Sequence, residues 1–274
     1  MKIGIIGFGN MGSAIAGKLK IEYKIYCFDK DKAKISNITN ISVADSNVDL
    51  ISRVDAIILA VKPQDFDSVL DEIKESVKDK LIISIAAGIT TGYIEKRLGQ
   101  IRVVRAMPNM AIKIGRGITC LCKGRFLNEE DLNFSQEIFK NLGKILILKE
   151  DMMDAATAIS GSGPGYYFDI VESDPQSYKD KHDEFLNNFI ASLTEAAEYI
   201  GFKHAEAVFL ANTTGLASDL LLIETGLSAR ELKKQVASKG GTTQAGLEVL
   251  HKGGTLKEAA KAALIRAREL SKKE

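Results

Sequence analysis

The sequence predicts an α/β protein, with a doubly wound parallel sheet in its N-terminal half and an all-helical C-terminal domain. Three observations carry this. Short apolar runs alternate with longer polar, helix-like stretches through residues 1–149. A glycine-rich turn follows the first of these runs. Strand-like runs then stop, and Ala, Leu and Glu recur at helical spacing through residues 150–274. The domains are therefore drawn at 1–149 and 150–274, in keeping with ~100–200 residues per domain.

The runs 2–7, 24–29, 55–61, 81–86 and 102–106 are rich in Ile and Val. Unbroken apolar runs of this length suit strands buried on both faces. The segments between them are long enough for crossover helices, which parallel neighbours need. Runs 117–122 and 144–148 flank a helix candidate at 128–142 and are expected to be late strands of the same sheet. In the second half, Leu193, Ala196, Ala197 and Ile200 repeat three and four apart, as do Ala207, Leu210, Ala211 and Thr214. This is the stripe of an amphipathic helix. The last helix, 255–270, runs into Lys272 and Lys273, whose charge suits a helix C-terminus. Residues 170–188 hold five acids, two bases and Pro175, and are expected to form a solvated loop between two helices.

Composition excludes some classes of function. Lys plus Arg is 37 and Asp plus Glu is 36, a net charge of +1 that gives no electrostatic case for nucleic-acid binding. No apolar run approaches the ~20 residues of a membrane span. The first residues read as a strand rather than a secretory leader, and Cys27, Cys120 and Cys122 form no disulfide framework. Both features point to a reducing compartment, the cytoplasm. Cys120 and Cys122 have no second ligand pair, so no metal site is expected.

The turn Gly7-Phe8-Gly9-Asn10-Met11-Gly12 is G-x-G-x-x-G between a strand and a helix. Gly7 permits the tight turn, Gly9 lets backbone approach a pyrophosphate, and Gly12 lets helix and strand pack closely. Phosphate would then rest on free N–H groups at the helix N-terminus. The next strand ends in Asp29, placed to meet the hydroxyls of an adenosine ribose. A carboxylate there favours NADH, whereas Lys30 and Lys32 beside it favour NADPH, so both cofactors stay open. Ala60-Val61-Lys62-Pro63, Ala86-Ala87-Gly88 and Met107-Pro108-Asn109 close three further runs. Strand ends of this kind line one ligand crevice.

In the second half, Ser160-Gly161-Ser162-Gly163-Pro164-Gly165 either exposes N–H groups or allows close helix packing; both readings are open. Lys239-Gly240-Gly241-Thr242-Thr243 reads as a glycine turn opening a helix, and is either a nest for a carboxylate or a simple Thr cap. His182, His204 and His251 lie among polar residues and are expected to be exposed. No strong catalytic acid stands out.

These motifs together resemble the pyrroline-5-carboxylate reductase family. The matching pieces are 7–12, 60–63, Ser84-Ile85-Ala86-Ala87-Gly88, Arg105-Ala106-Met107-Pro108-Asn109, 160–164 and 240–243, in family order across nearly the whole chain. The resemblance implies a Rossmann domain and a helical domain that dimerises by interleaving helices. It implies NAD(P)H-dependent reduction of 1-pyrroline-5-carboxylate to L-proline, the last step of proline biosynthesis, by a cytoplasmic homodimer or larger oligomer of dimers. By matching position, Ser238, Gly241 and Thr242 would hold the substrate carboxylate, Thr243 would hydrogen-bond the ring nitrogen, and Glu150 would lie near the substrate. Another cyclic imine acid as substrate, or a non-catalytic nucleotide sensor, remains as an alternative. Lys239, Ala229 and Lys234 stand where the family commonly has Pro, Pro and Asp, and 170–188 has the look of an insertion.

Overall fold

The structure, a computed structural model, describes residues 1–271. Lys272 and Lys273 lie outside the described residues. Two compact units emerge: Met1–Met107 with Thr119–Glu150, and Pro108–Ile118 with Asp151–Leu270.

The first unit is built on strands β1 Lys2–Ile6, β2 Lys24–Phe28, β3 Ser42–Val43, β4 Ala56–Leu59, β5 Leu81–Ser84, β6 Arg102–Pro108, β7 Gly117–Lys123 and β8 Gly143–Ile147. They lie in one sheet in the order β3-β2-β1-β4-β5-β6-β7-β8. The pairs β1–β2, β1–β4, β2–β3, β4–β5 and β5–β6 are parallel. All seven expected runs are strands. The eighth, β3, has only two residues, too few to leave an apolar run in the sequence. Between the strands run helices α1 Asn10–Leu19, α2 Asn47–Ser52, α3 Pro63–Ile73, α4 Thr91–Leu98 and α5 Glu129–Lys140. Ser46, Thr90 and Asn128 cap α2, α4 and α5 through their side chains, each such cap contributing ~1 kcal/mol. Ile57, Leu59, Phe66, Leu70, Ile73, Ile82 and Val103 join one core in which each is fully buried. Sheet order reverses at β1, because β2 lies on one side of it and β4 on the other. That reversal is where open α/β sheets bind ligands.

The second unit holds α6 Met153–Ala156, α7 Gly163–Ser173, α8 Pro175–Asp180, α9 His182–Tyr199, α10 His204–Thr225, α11 Ala229–Val236, α12 Thr242–Leu250 and α13 Leu256–Leu270. A π-turn, Thr157–Gly161, joins α6 to α7. By length and composition α10 could cross a membrane, but half of its apolar window is buried inside the protein and it carries the buried Asp219.

The loop expected at 170–188 is helical instead. Pro175 occupies the first turn of α8, where a missing N–H costs nothing, and Asp174 caps that helix by accepting from the Ser177 N–H at 3.0 Å. Polar residues face solvent while Tyr178, His182 and Phe185 turn inward. Asp219 Oδ1 accepts from Tyr167 Oη at 2.7 Å and Tyr178 Oη at 2.9 Å, and meets His182 Nε2 at 3.0 Å. Phe185 packs edge-on to Tyr167 and Tyr178. His182 is thus only partly exposed, while His251 and His204 are the more open histidines, paired with Asp169 and Glu198.

The bond to Asp219 raises the pKa of His182, against a smaller desolvation effect. A raised histidine pKa stabilises the fold fully below the unfolded value of 6.5, and that contribution fades as pH rises through the folded value. Trypsin cleavage after Lys179 or Lys181 is therefore expected to be slow in the wild type, faster at pH 8 than at pH 6, and fast at both pH values in Asp219→Ala. Mass spectrometry of timed digests reads this. Rapid cleavage of the wild type at both pH values would restore the loop.

Candidate active site

The glycine turn closes on the sheet reversal. Gly7 has φ +94°, a region open to glycine, and its N–H donates to the Phe28 carbonyl at 2.8 Å. A Cβ on Gly7 would stand 2.7 Å from the Ala60 carbonyl oxygen, and one on Gly12 only 2.1 Å from the Gly7 carbonyl oxygen. Gly9 differs: a Cβ there meets nothing within 4 Å. Gly9 also begins α1 without a side-chain cap, so the helix N-terminus opens to the crevice. The crevice, about 580 Å³, is lined by Gly7, Gly9, Asp29, Ala60, Val61 and Lys62 among others. An open glycine backbone, an uncapped helix start and a crevice at the sheet reversal fit a dinucleotide pyrophosphate. Phe8, Asn10 and Met11 complete the turn, and Pro63 starts α3. Ala87 and Gly88 follow β5, while Met107 and Pro108 end β6.

Asp29 is 7% exposed and already engaged. Oδ2 accepts the Phe8 N–H at 2.6 Å, and Oδ1 accepts the Asp31 N–H at 2.8 Å with Lys34 Nζ at 3.5 Å. Burial acts to raise its pKa, but these two backbone donors and the Lys34 charge together lower it. Asp29 is thus the anchor of the glycine turn, whatever else it binds. Lys30 pairs with Asp65 at 2.6 Å, and Lys32 lies 4.4 Å from the Phe28 ring centroid.

Glu150, in the turn Glu150–Met152 of this same unit, is bound from two sides. Oε1 meets Arg105 Nη1 at 2.5 Å, and Oε2 accepts from the Thr91 N–H at 3.0 Å and the Thr91 hydroxyl at 2.7 Å. Cys122 Sγ lies 3.7 Å from Oε2. Arg105 is 2% exposed. The helix dipole does favour Glu150, but the helix is α4, whose first residue is Thr91. Breaking such a buried pair costs ~3–5 kcal/mol, discounted here because the Glu150 side chain is 32% exposed. In sequence, Arg105 stands only as part of the motif 105–109, with no role of its own. A charged residue inside an apolar strand run was the available signal.

In the helical unit, Gly240 has φ +68° and its N–H donates to Gln244 Oε1 at 2.7 Å. The Gly241 N–H donates to the Ser238 carbonyl at 3.0 Å. Arg266 Nε donates to the Gly240 carbonyl at 2.7 Å. Of the two readings, a nest at the two glycines has its N–H groups taken by the protein itself, and a Thr side-chain cap is not formed; the uncapped start of α12 presents the N–H groups of Thr242 and Thr243 instead. Thr243 is 5% exposed; its hydroxyl donates to Ser162 Oγ at 3.1 Å. Ser162 Oγ also meets Thr242 Oγ1 at 3.0 Å. Ser238 and Lys239 are exposed. Gly163 and Gly165, in the first turn of α7, serve close packing. A Cβ at Gly165 would lie 2.4 Å from Thr243 Cγ2, and one at Gly163 2.8 Å from Thr214 Cγ2. Of the two readings of 160–165, helix packing is the one observed.

The sheet order, the glycine turn and the crevice at the reversal define a nicotinamide-dinucleotide oxidoreductase. A family model described as NADP oxidoreductase, coenzyme F420-dependent, matches residues 2–88, and one described as pyrroline-5-carboxylate reductase dimerisation matches residues 185–273. The pyrroline-5-carboxylate reductase of Methanosarcina acetivorans is 35% identical over 99% of this chain and 97% of its own. A Coxiella burnetii pyrroline-5-carboxylate reductase structure covers 99% of this chain and 98% of that one at 31% identity and TM-score 0.66. A Plasmodium falciparum pyrroline carboxylate reductase with NADP bound covers the same shares at 30% identity and TM-score 0.65. The chain belongs to the pyrroline-5-carboxylate reductase family.

Proposed function

We propose that the protein reduces 1-pyrroline-5-carboxylate to L-proline with NADPH or NADH, the last step of proline biosynthesis. Likeness along almost the whole chain to an enzyme of that name carries the reading. The glycine turn and the Thr242–Thr243 helix start support it. When bound, the nicotinamide supplies the hydride that adds to the imine carbon. Gly7, Phe8, Gly9, Asn10, Met11 and Gly12 hold the pyrophosphate, and the strand ends Ala60, Val61, Lys62, Pro63, Ala87, Gly88, Met107 and Pro108 line the crevice. The N–H groups of Thr242 and Thr243, with the Ser238 hydroxyl, hold the substrate carboxylate, and Gly241 gives Ser238 its close approach, a Cβ there falling 2.3 Å from Ser238 Oγ. Thr243 meets the ring nitrogen. Positioning and preset hydrogen bonds then account for most of the rate. Glu150 acts from the end of the sheet. A direct contact with substrate has to compete with its bonds to Arg105 and Thr91.

Consumption of NAD(P)H on adding pyrroline-5-carboxylate tests this function. Activity only with another cyclic imine acid would move the substrate, and none with any would leave a nucleotide sensor.

Asp29 decides the cofactor. Oδ2 accepts only the Phe8 N–H and keeps a second lone pair for a ribose hydroxyl, and the Asp29 charge opposes a 2′-phosphate. NADH is expected to serve at least as well as NADPH, and Asp29→Ser to shift the kcat/KM ratio toward NADPH by ~10-fold, the effect of ~1.4 kcal/mol. Strong NADPH selectivity in the wild type would assign the choice to Lys30, Lys32 or Lys34.

The protein is proposed to act as a homodimer or an oligomer of dimers in the cytoplasm. Leu216 and Ile223 on α10 are 48% and 58% exposed, and Phe209 and Leu220 share their face. An apolar stripe of this kind suits a second copy of the chain. The three cysteines are buried and outside any disulfide, as a reducing compartment allows.

A further inference from the structure

We propose that Ser162 is a positioning residue that commits the hydroxyl proton of Thr243 inward and so leaves Thr243 only as an acceptor toward the substrate. The inference rests on the reading of Thr243 as the partner of the ring nitrogen. A hydroxyl has one proton and two lone pairs. The Thr243 proton is directed to Ser162 Oγ at 3.1 Å, and Ser162 is fully buried, so water does not compete for the bond. Ser162 Oγ also lies 3.0 Å from Thr242 Oγ1, a contact in which either hydroxyl can donate. The three hydroxyls are linked through buried Ser162, and what Thr243 has left to offer is a lone pair.

The backbone holds the hub of this chain firmly. The Ser162 N–H donates to the Thr157 carbonyl at 2.9 Å, and the Ser162 carbonyl accepts the N–H groups of Gly165 at 2.9 Å and Tyr166 at 3.3 Å. The π-turn Thr157–Gly161 ends at this residue and sets the rotation with which it enters α7. Such turns inserted in helices often mark functional sites. Gly165 meanwhile lets α7 approach Thr243 closely, with a Cβ there falling 2.4 Å from its methyl carbon. The arrangement brings residues 81 apart in sequence into contact.

A lone pair suits one protonation state of the substrate. The protonated imine carries an N–H, which donates to Thr243 Oγ1. The neutral imine carries only a lone pair, which Thr243 cannot satisfy. Hydride addition to the carbon of the protonated imine moves the C=N electron pair onto nitrogen and gives the neutral secondary amine, while the cofactor leaves oxidised. The amine keeps an N–H for the same acceptor. Thr243 therefore selects the form that needs no acid from the protein.

The test is a double-mutant cycle in steady-state kinetics with saturating NAD(P)H. Ser162→Ala is expected to lower kcat by about 5- to 10-fold, the size of one neutral hydrogen bond, with the KM for the cofactor unchanged. In a Thr243→Ala background, Ser162→Ala should add nothing further, because its effect passes through a hydroxyl that is gone. Ser162→Thr keeps a hydroxyl and should recover turnover. If melting curves show that Ser162→Ala does not fold, Thr242→Val breaks the same chain at its partly exposed end, and its loss should likewise vanish beside Thr243→Ala. Equal losses with and without the Thr243 hydroxyl, or an unchanged kcat in the folded single variant, overturn the role of Ser162. A wild type inactive with pyrroline-5-carboxylate instead overturns the proposed function. An unchanged Thr243→Ala overturns Thr243, and Ser162 with it.

Discussion

Gly9→Val is expected to abolish binding of both NADPH and NADH while the protein melts at the wild-type temperature. Two facts separate folding from binding at this position. Gly9 has φ −75° and ψ −166°, an extended conformation that valine adopts readily, and its added Cβ meets no atom within 4 Å. The unliganded fold therefore accepts the side chain. The same open space is where a pyrophosphate must approach the start of α1. An isopropyl group there keeps phosphate oxygens from the N–H groups, and affinity should fall by at least ~100-fold, or ~2.7 kcal/mol. Gly12→Ala supplies the contrast. Its Cβ would lie 2.1 Å from the Gly7 carbonyl oxygen, a backbone atom that cannot move without opening the turn. That variant should lose stability as well as binding. Isothermal titration calorimetry measures the first property and scanning calorimetry the second. A Gly9→Val protein that binds NAD(P)H with wild-type affinity would remove the pyrophosphate from this turn.

The parts of the fold that were legible in the sequence share a physical cause. A strand buried on both faces has no polar residue to interrupt it, and the runs at 2–7, 55–61 and 81–86 show this directly. The edge strand Ser42–Val43 carries no such mark. Charge count and a proline give residues 170–188 the look of a loop, but position within the segment decides otherwise. Pro175 begins a helix rather than breaking one, and Tyr178, His182 and Phe185 already stand at i, i+4 and i+7. Asp219, which Tyr178 and His182 both meet, lies 37 residues beyond His182, and no local pattern reaches that far. The site divides in the same way. The glycine turn is local and was readable residue by residue. The ties Arg105–Glu150 and Ser162–Thr243 span 45 and 81 residues, and only the folded chain shows them.

Long-range ties also change what local motifs mean. Gly240 and Gly241 look like an anion nest in sequence, yet Gln244 and the Ser238 carbonyl occupy their N–H groups. Asp29 looks like a free ribose ligand, yet it holds the backbone of Phe8 and Asp31. In each case the motif is real and its first partner is the protein itself. The donors left for ligands are displaced by a residue or two, toward the N–H groups of Thr242 and Thr243 at the start of α12.

Thr243→Ala should lower turnover by ~10–1000-fold while weakening substrate binding only modestly, if this bond behaves like other positioned polar contacts. The proposed carboxylate anchor is backbone N–H, which alanine retains, so the substrate should still dock. What would be lost is the oxygen proposed to meet the ring nitrogen as its positive charge disappears. Ring angle relative to the nicotinamide then becomes free, and small errors in that angle are costly. Thr243 is 5% exposed and its methyl carbon packs where Gly165 leaves room, so alanine opens a small void rather than a clash. The fold should survive with a minor loss of stability. Thr243→Ser keeps the hydroxyl and its bond to Ser162, but without the methyl its rotamer is less fixed, so it should recover part of the rate. Thr243→Val keeps the shape and loses the oxygen, and should be as slow as alanine. Steady-state kinetics on the three variants separates the hydroxyl from the packing. Full turnover in Thr243→Val would make Thr243 a packing residue alone, and the nitrogen contact would then have to come from Thr242 or a bound water.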